Sequence, residues 1–261
     1  MPNHHGDFIW YELMSREPDA SEAFYAGLLG WSFEPADPSG DIDYRLFSKD
    51  GPPAGGLLKL PAEACDAGAQ TMWAGYIGVD DVDASVQQMA DRGSRVIMEP
   101  TTLQGVGRMA LLHDPQGAPI YLMHGASDEP SQAFAQDAPR EGHCAWNELR
   151  TSDPSAALEV YAACFGWEKA DSMDMGPAGS YDMLRNPPHA SLLGAVMSSG
   201  DMPPQWLFYF RVADIDKAAA YIDHNGGEML MGPQEIPGGE YILNARDPQG
   251  AVLALIGKRT A

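Results

Sequence analysis

The chain has 261 residues, of which 44% are hydrophobic and 20% charged, as expected of a folded globular protein. Its formal net charge of −21 argues against nucleic acid as a partner, because non-specific binding to phosphate backbones depends on Lys and Arg. The sequence has no apolar run of about 18 residues that would span a membrane, and its first residues, MPNHHGDF, lack the features of a secretory signal, so we expect a cytoplasmic protein without a membrane partner.

The first predicted strand and helix, in residues 10–31, recur in residues 146–167. WYELMSREPDASEAFYAGLLGW returns as WNELRTSDPSAALEVYAACFGW, with Trp, Glu-Leu, Pro, Tyr and Gly-Trp in register. This repeat indicates a tandem duplication into two domains of roughly 120 residues, a size that can bury its own core. We place the domains at residues 5–125 and 141–259, and the aperiodic, Ala-, Asp- and Pro-rich segment 126–140 predicts a linker.

A smaller unit occurs twice within each half. Each copy opens with a Trp and an aromatic, β-branched segment of period two, which predicts a strand. A helical pattern follows, and the best marked one begins at Asp153 and Pro154, residue types that favour a helix start. Short strand candidates come next, from DYRLFSK and GGLLKL to EYILNA and AVLALI, and the repeated DPQG predicts a hairpin turn. The chain is therefore predicted to be α+β, with four βαβββ units.

This pattern resembles the vicinal oxygen chelate superfamily, which includes glyoxalase I, extradiol dioxygenases and bleomycin-resistance proteins. The form WxEL…PDAxxAFYxxLxGW, followed by VDDVDA and DPQG, is similar to that of bacterial tandem glyoxalase-like proteins. The resemblance implies two domains, each a cupped, mostly antiparallel sheet of eight strands with helices outside. It also implies a divalent metal on each concave face, bound by His and Glu.

The positions that the resemblance assigns to metal ligands hold other residue types in this chain. They are Trp10 and Trp146, Leu58 and Met197, Ala74 and Leu207, and Tyr121 and Ala254. None of these side chains is a ligand that divalent metals prefer. We therefore expect no metal cofactor, and instead an aromatic-lined cup for a small organic molecule. The alternative is a divalent metal at an unusual position, for example one held by Glu12 and His113.

Two glutamates are the sharpest catalytic candidates. Glu12 and Glu148 lie two residues after Trp10 and Trp146, and therefore on the same strand face as those indoles. Desolvation among aromatic rings disfavours the ionised form of a carboxylate, which suits each Glu to donate or accept a proton. The structural alternative is that each Glu accepts hydrogen bonds from a neighbouring strand or Tyr and helps to hold its domain.

Tyrosines complete the predicted ligand-binding set. Tyr76 and Tyr209 each follow a strand-opening Trp by three residues, so Trp and Tyr point to opposite faces and we expect the Tyr to face the cup, with core packing as the alternative. Tyr44 and Tyr181 are a weaker matched pair. The predicted ligand-binding residues are Trp10, Tyr76, Tyr121, Trp146 and Tyr209.

Three functions fit these features. We expect a metal-independent protein that binds a small-molecule ligand, as a monomer or a homodimer. The second is an enzyme of the resembling superfamily, a lyase, isomerase or dioxygenase, that uses Glu12 or Glu148 as acid and base or an unusually placed metal. The third is an interaction protein that meets its partners through acidic surfaces.

Overall fold

The computed structural model describes residues 3–38, 40, 42–135 and 138–260. The strands of its first half are β1 (Phe8–Ser15), β2 (Ser32–Pro35), β3 (Tyr44–Ser48), β4 (Gly55–Lys59), β5 (Met72–Gly78), β6 (Arg95–Leu103), β7 (Gly107–His113) and β8 (Pro119–Gly125). Those of the second half are β9 (Cys144–Thr151), β10 (Glu168–Asp174), β11 (Ser180–Arg185), β12 (Gly194–Ser198), β13 (Gln205–Asp214), β14 (Glu228–Glu235), β15 (Tyr241–Arg246) and β16 (Val252–Lys258). The helices are α1 (Pro18–Leu29), α2 (Ala62–Asp66), α3 (Val82–Ala90), α4 (Pro154–Phe165) and α5 (Ile215–His224).

The strands form two open, mixed sheets of eight. Their orders are β2-β3-β4-β1-β5-β8-β7-β6 and β10-β11-β12-β9-β13-β16-β15-β14. In both sheets the first strand of a unit pairs in parallel with its last strand, as β1 does with β4 and β5 with β8, while the hairpins are antiparallel. The predicted α+β class and the four βαβββ units are confirmed.

Local chemistry sets the ends of the repeated helices. The carboxylate of Asp153 accepts a hydrogen bond from the Ala156 amide at 3.0 Å and so caps α4, whose first residue is Pro154. Gly30 and Gly166 end α1 and α4 with positive φ angles of 70° and 72°, a conformation that glycine adopts at little cost. No helix in the described ranges has both the length and the apolar composition that crossing a bilayer requires.

The chain forms two compact units, and each draws on both halves of the sequence. Unit 1 comprises Met1–Ile9, Ala74–Ser131 and Trp146–Leu207, and unit 2 comprises Trp10–Trp73, Gln132–Ala145 and Phe208–Ala261. The change from unit 1 to unit 2 after Ser131 falls inside the segment predicted as a linker. Two linker residues, Gln136 and Asp137, lie outside the described residues. The linker boundaries therefore stay a prediction.

A buried hydrogen-bonded brace holds unit 1 together. Tyr161 of α4, 1% exposed, accepts a hydrogen bond from the Trp206 indole at 3.1 Å and donates one to Oδ2 of Asp114 at 3.2 Å. The other oxygen of Asp114 accepts from the amides of the DPQG turn, including those of Gly117 and Ala118 at 2.8 Å. Burial raises the pKa of Asp114 above its ordinary value. The brace thus fixes a helix, a strand and a turn to one another.

Unit 2 contains the same brace built from the matching residues. Tyr25 of α1 accepts from the Trp73 indole at 3.0 Å and donates to Oδ2 of Asp247 at 3.0 Å. The Trp that follows each repeated helix also donates a hydrogen bond to a backbone carbonyl of its own unit. The Trp31 indole donates to Gly142 at 2.8 Å in unit 2, and the Trp167 indole donates to Gly6 at 2.9 Å in unit 1. Most of the repeated landmarks are therefore structural, and they position the strands that carry the candidate site.

Candidate functional site

The second copy of the repeat carries a chain of hydrogen bonds on one face of β9 and β11, within unit 1. The Trp146 indole donates to the Tyr181 hydroxyl at 2.7 Å, and that hydroxyl donates to Oε2 of Glu148 at 3.0 Å. Arg150, the next residue on this face of β9, donates to Oε1 of Glu148 at 2.8 Å. Glu148 is only 3% exposed, whereas Trp146 and Tyr181 are half-buried. We call Trp146, Glu148 and Tyr181 the second aromatic face.

The first copy repeats this arrangement on β1 and β3, within unit 2. The Trp10 indole donates to the Tyr44 hydroxyl at 2.7 Å, and Glu12, 3% exposed, shares their face of β1. Gly56 is the β4 partner of Glu12, and a Cβ atom there would lie 2.1 Å from the Tyr44 hydroxyl. Because Gly56 has no Cβ atom, the Tyr44 hydroxyl can lie beside Trp10. We call Trp10, Glu12 and Tyr44 the first aromatic face.

Two of the predicted tyrosines lie together in unit 1. Tyr76 and Tyr121 are register partners in the parallel pair of β5 and β8, and their rings stack with centroids 4.2 Å apart and planes 5° from parallel. Both are nearly buried, at 4% and 6% exposure. The sequence rule that sets Trp and Tyr on opposite faces does not reveal this stack, because it depends on which strands pair.

The matching position in unit 2 has a different neighbourhood. Tyr209, 2% exposed, has Ala254 as its register partner on β16, so no second ring stacks on it from that position. The side-chain amide of Asn244 donates to the Tyr209 hydroxyl at 3.4 Å. The two tyrosines that match in sequence therefore differ in what they contact, and their ligand-binding roles stay predictions.

The residues at the expected metal-ligand positions do not fit a divalent cation. Only Tyr121 among them has an oxygen donor, and its ring lies against Tyr76. His113, considered as a ligand at an unusual position, interacts through Nδ1 with the Arg95 guanidinium at 3.2 Å. Burial and this guanidinium lower the pKa of His113. Within the described ranges no three side chains of His, Cys, Asp or Glu come together as a metal-binding group.

Arg150 is the functional candidate that sequence reasoning overlooked. The signal was present, because Trp146, Glu148 and Arg150 follow one another with a period of two in WNELR. The roles of Tyr44 and Tyr181 were also underestimated, since each is the direct hydrogen-bond partner of the indole on its face. Their distance from the Trp along the sequence hides this contact, which arises from the pairing of β3 and β11 with their neighbouring strands.

Two family profiles match the chain. The glyoxalase-like domain matches residues 11–123, and the Glyoxalase/Bleomycin resistance protein/Dioxygenase superfamily matches residues 141–255. Together the two matches account for both copies of the repeat.

Similar full-length proteins and solved structures also exist. "Putative glyoxylase CFP32" of Mycobacterium bovis is 30% identical over 250 residues, 95% of this chain and 93% of its own length. "Anthracycline biosynthesis protein DnrV" of Streptomyces peucetius is 28% identical over 262 residues, 96% of this chain and 92% of its own. The Mn(II)-bound glyoxalase from Novosphingobium aromaticivorans has a TM-score of 0.64 at 16% identity, over 98% of this chain and 83% of that one. Homoprotocatechuate 2,3-dioxygenase from Arthrobacter globiformis has a TM-score of 0.67 at 14% identity, over 98% and 80% of the two chains.

Proposed function

Because the chain belongs to the glyoxalase/bleomycin resistance protein/dioxygenase superfamily, we propose that it binds a small organic molecule on its aromatic faces and does so without a resident metal ion. The observation that carries this proposal is the hydrogen-bonded indole–phenol pair, which occurs in both copies beside a carboxylate that is 3% exposed. The lack of suitable donors at the expected metal positions supports the second part of the proposal.

The indole–phenol pair supports ligand binding because it fixes aromatic rings that still reach solvent. In the second aromatic face the Trp146 N–H is used by Tyr181, so what the indole offers to a ligand is its apolar ring surface. The hydrogen bond from Tyr181 to Glu148 holds the phenol in one orientation. Rings held in place before binding lose little conformational entropy when a ligand arrives, and apolar walls with a few fixed polar groups are typical of small-molecule sites.

A fused aromatic ring system is the first ligand class to test. Relatives of this chain are named for anthracycline biosynthesis, and anthracyclines contain such a ring system. Flat rings match the exposed surfaces of Trp10 and Trp146, because aromatic pairs gain about 0.5–1.5 kcal/mol beyond the area that they bury.

Calorimetric titration with an anthracycline aglycone tests the proposal. The protein is dialysed against a chelator, and parallel samples receive Mn(II) or Zn(II). We expect saturable binding with an affinity that metal changes by less than about twofold, and a loss of about tenfold or more in the Trp10→Ala/Trp146→Ala double variant, since truncation removes both ring contacts. Binding that appears only with metal, or an affinity that the double variant leaves unchanged, would contradict the proposal.

Catalysis is the second candidate function, and the burial of Glu12 and Glu148 beside accessible rings favours it. A desolvated carboxylate next to a bound substrate can act as acid or base. One relative carries the name of a glyoxylase, so the hemithioacetal of methylglyoxal and glutathione is a suitable first substrate. If either Glu acts in this way, Glu12→Gln or Glu148→Gln abolishes turnover and leaves thermal unfolding intact. Equal turnover in both single variants and the double variant excludes this role.

A further inference from the structure

The second aromatic face differs from the first in ways that select a ligand. We propose that the second aromatic face, extended by Met173, Met183 and Met197, is a binding site for uncharged, fused-ring aromatic molecules. This inference rests on the proposed function and names the ligand class for one of the two faces.

The strand registers place the three methionines on the same side of the sheet as Glu148. Ala195 is the β12 partner of Glu148, so Met197, two residues on, shares their face. Met183 is the β11 partner of Ala195, and Met173 is the β10 partner of Tyr181. Met183 and Met197 are half-buried, and Met173 is 37% exposed. Four neighbouring strands therefore contribute to a face that spans about 14 Å across three strand spacings.

The first aromatic face has aliphatic side chains at the corresponding register positions. Leu58 lies where Met197 does, and Leu46, the β3 partner of Gly56, lies where Met183 does. Ala36, which follows β2, lies where Met173 does, because its amide donates to the Tyr44 carbonyl at 2.9 Å. These three methionines therefore belong to the second copy, whereas the first aromatic face has one methionine, Met14, at the position that matches Arg150.

Methionine suits a large aromatic ligand for two reasons. Its side chain is unbranched and adapts to shapes that a branched leucine cannot follow, and its polarisable sulfur makes favourable contacts at the edges of aromatic rings. A ligand of several fused rings presents many such edges. Trp146 and Tyr181 add two fixed ring surfaces on the same face.

Charge also separates the two faces. Arg150 pairs with Glu148 at 2.8 Å, so the strand that carries this carboxylate also carries its counter-charge. In the first copy the residue two positions after Glu12 is Met14, which has no charge. A ligand that contacts Trp146 and Glu148 therefore meets a neutral pair, and a net charge on the ligand gains little there to offset the loss of its hydration. Asp171, the β10 partner of Met183, shares this face, but it is exposed and solvent screens its charge. This favours an uncharged molecule.

Calorimetric titration with 1,8-dihydroxyanthraquinone tests the role of the methionines. The triple variant Met173→Leu/Met183→Leu/Met197→Leu keeps the apolar character of the face and removes its sulfur atoms. We expect it to bind about tenfold or more weakly than wild type, whereas the matched Met72→Leu/Met89→Leu/Met202→Leu variant, whose substitutions lie outside the four strands, binds as wild type does. If the first triple variant stays within twofold of wild type, the inference falls and the proposed function stands. If wild type binds no aromatic molecule, both fall.

A second titration tests the charge argument with acridine orange, a cationic fused-ring dye. Arg150→Met leaves Glu148 without its strand counter-charge, and we expect the preference for acridine orange over the anthraquinone to rise about tenfold. The double variant Glu148→Gln/Arg150→Met has neither charge and should keep the wild-type preference, which also shows whether the face survives the loss of Arg150. An unchanged preference in Arg150→Met, or a double variant that prefers the cation, would overturn the assignment of an uncharged ligand.

Discussion

The buried brace of unit 1 allows a quantitative prediction for Tyr161→Phe. The substitution keeps the ring and removes one hydroxyl that accepts from Trp206 at 3.1 Å and donates to Asp114 at 3.2 Å. An indole N–H and a carboxylate oxygen, on residues that are 4% and 3% exposed, then lose the partner that Tyr161 supplied. Each buried polar group left unsatisfied costs about 1–3 kcal/mol, so for these two groups we expect the free energy of unfolding to fall by about 2–6 kcal/mol.

Urea unfolding and calorimetry measure this loss. At about 2–4 °C per kcal/mol for a chain of this size, the Tm should fall by roughly 4–24 °C. Tyr25→Phe repeats the test on the equivalent brace of unit 2, where both hydrogen bonds are 3.0 Å long. Tyr241→Phe is the control, because its hydroxyl bonds Glu235 at the surface and its loss should cost under about 0.5 kcal/mol. If both brace variants unfold like Tyr241→Phe, the braces do not stabilise the fold and our account of the repeated landmarks is wrong.

Three further predictions concern pH, a glycine and the division of the chain. Burial raises the pKa of Asp114, so the folded chain keeps the proton of this carboxyl group to higher pH than the unfolded chain does. The stabilising contribution of the protonated Asp114 is full below about pH 4, and it is lost as the pH rises through the pKa of the folded state. The unfolding free energy of wild type minus that of Asp114→Asn should therefore decrease as pH rises from 4, and an increase in urea titrations would contradict the sign. In Gly56→Ala the new Cβ would lie 2.1 Å from the Tyr44 hydroxyl, a side-chain atom that can shift, whereas in Gly194→Ala it would lie 1.9 Å from the Asn147 backbone carbonyl. Gly56→Ala should therefore lower the Tm less than Gly194→Ala does. The reverse order in calorimetry would show that Tyr44 cannot shift. A chain that ends at Ser131 lacks Asp247 and Gly142, the partners of Tyr25 and Trp31, and should show no cooperative thermal transition by circular dichroism.

The order of strands and helices could be predicted from the sequence because it depends on local signals. The period-two segments, the Asp-Pro helix start and the DPQG turns each act within a few residues of themselves. The edge strands β2 and β10 have no such local signal and could not be predicted from the sequence. All seven residues of β10 are exposed, so no alternation of apolar and polar residues marks the strand, and only its pairing with β11 defines it.

The candidate site was predictable in part, for the same physical reason. Trp146 and Glu148 share a face because they are two residues apart on one strand, which the sequence states directly. The contact of Trp146 with Tyr181 joins residues 35 positions apart and depends on strand order. The stack of Tyr76 on Tyr121 likewise depends on the parallel pairing of β5 with β8. Residue spacing reveals which side chains share a strand face, and register decides which of them touch.

The braces explain why the two copies agree at some landmarks and differ at others. Tyr25 bonds Asp247 in one compact unit and Tyr161 bonds Asp114 in the other, so each brace joins a helix from one half of the sequence to a turn from the other half. A substitution of the Tyr or the Asp in either half would break a brace, so these positions are restricted in both halves. The positions on the aromatic faces are not linked in this way, and there Arg150 of the second copy corresponds to Met14 of the first copy. Stability therefore favours copies that stay alike in their braces, and it leaves their aromatic faces able to diverge.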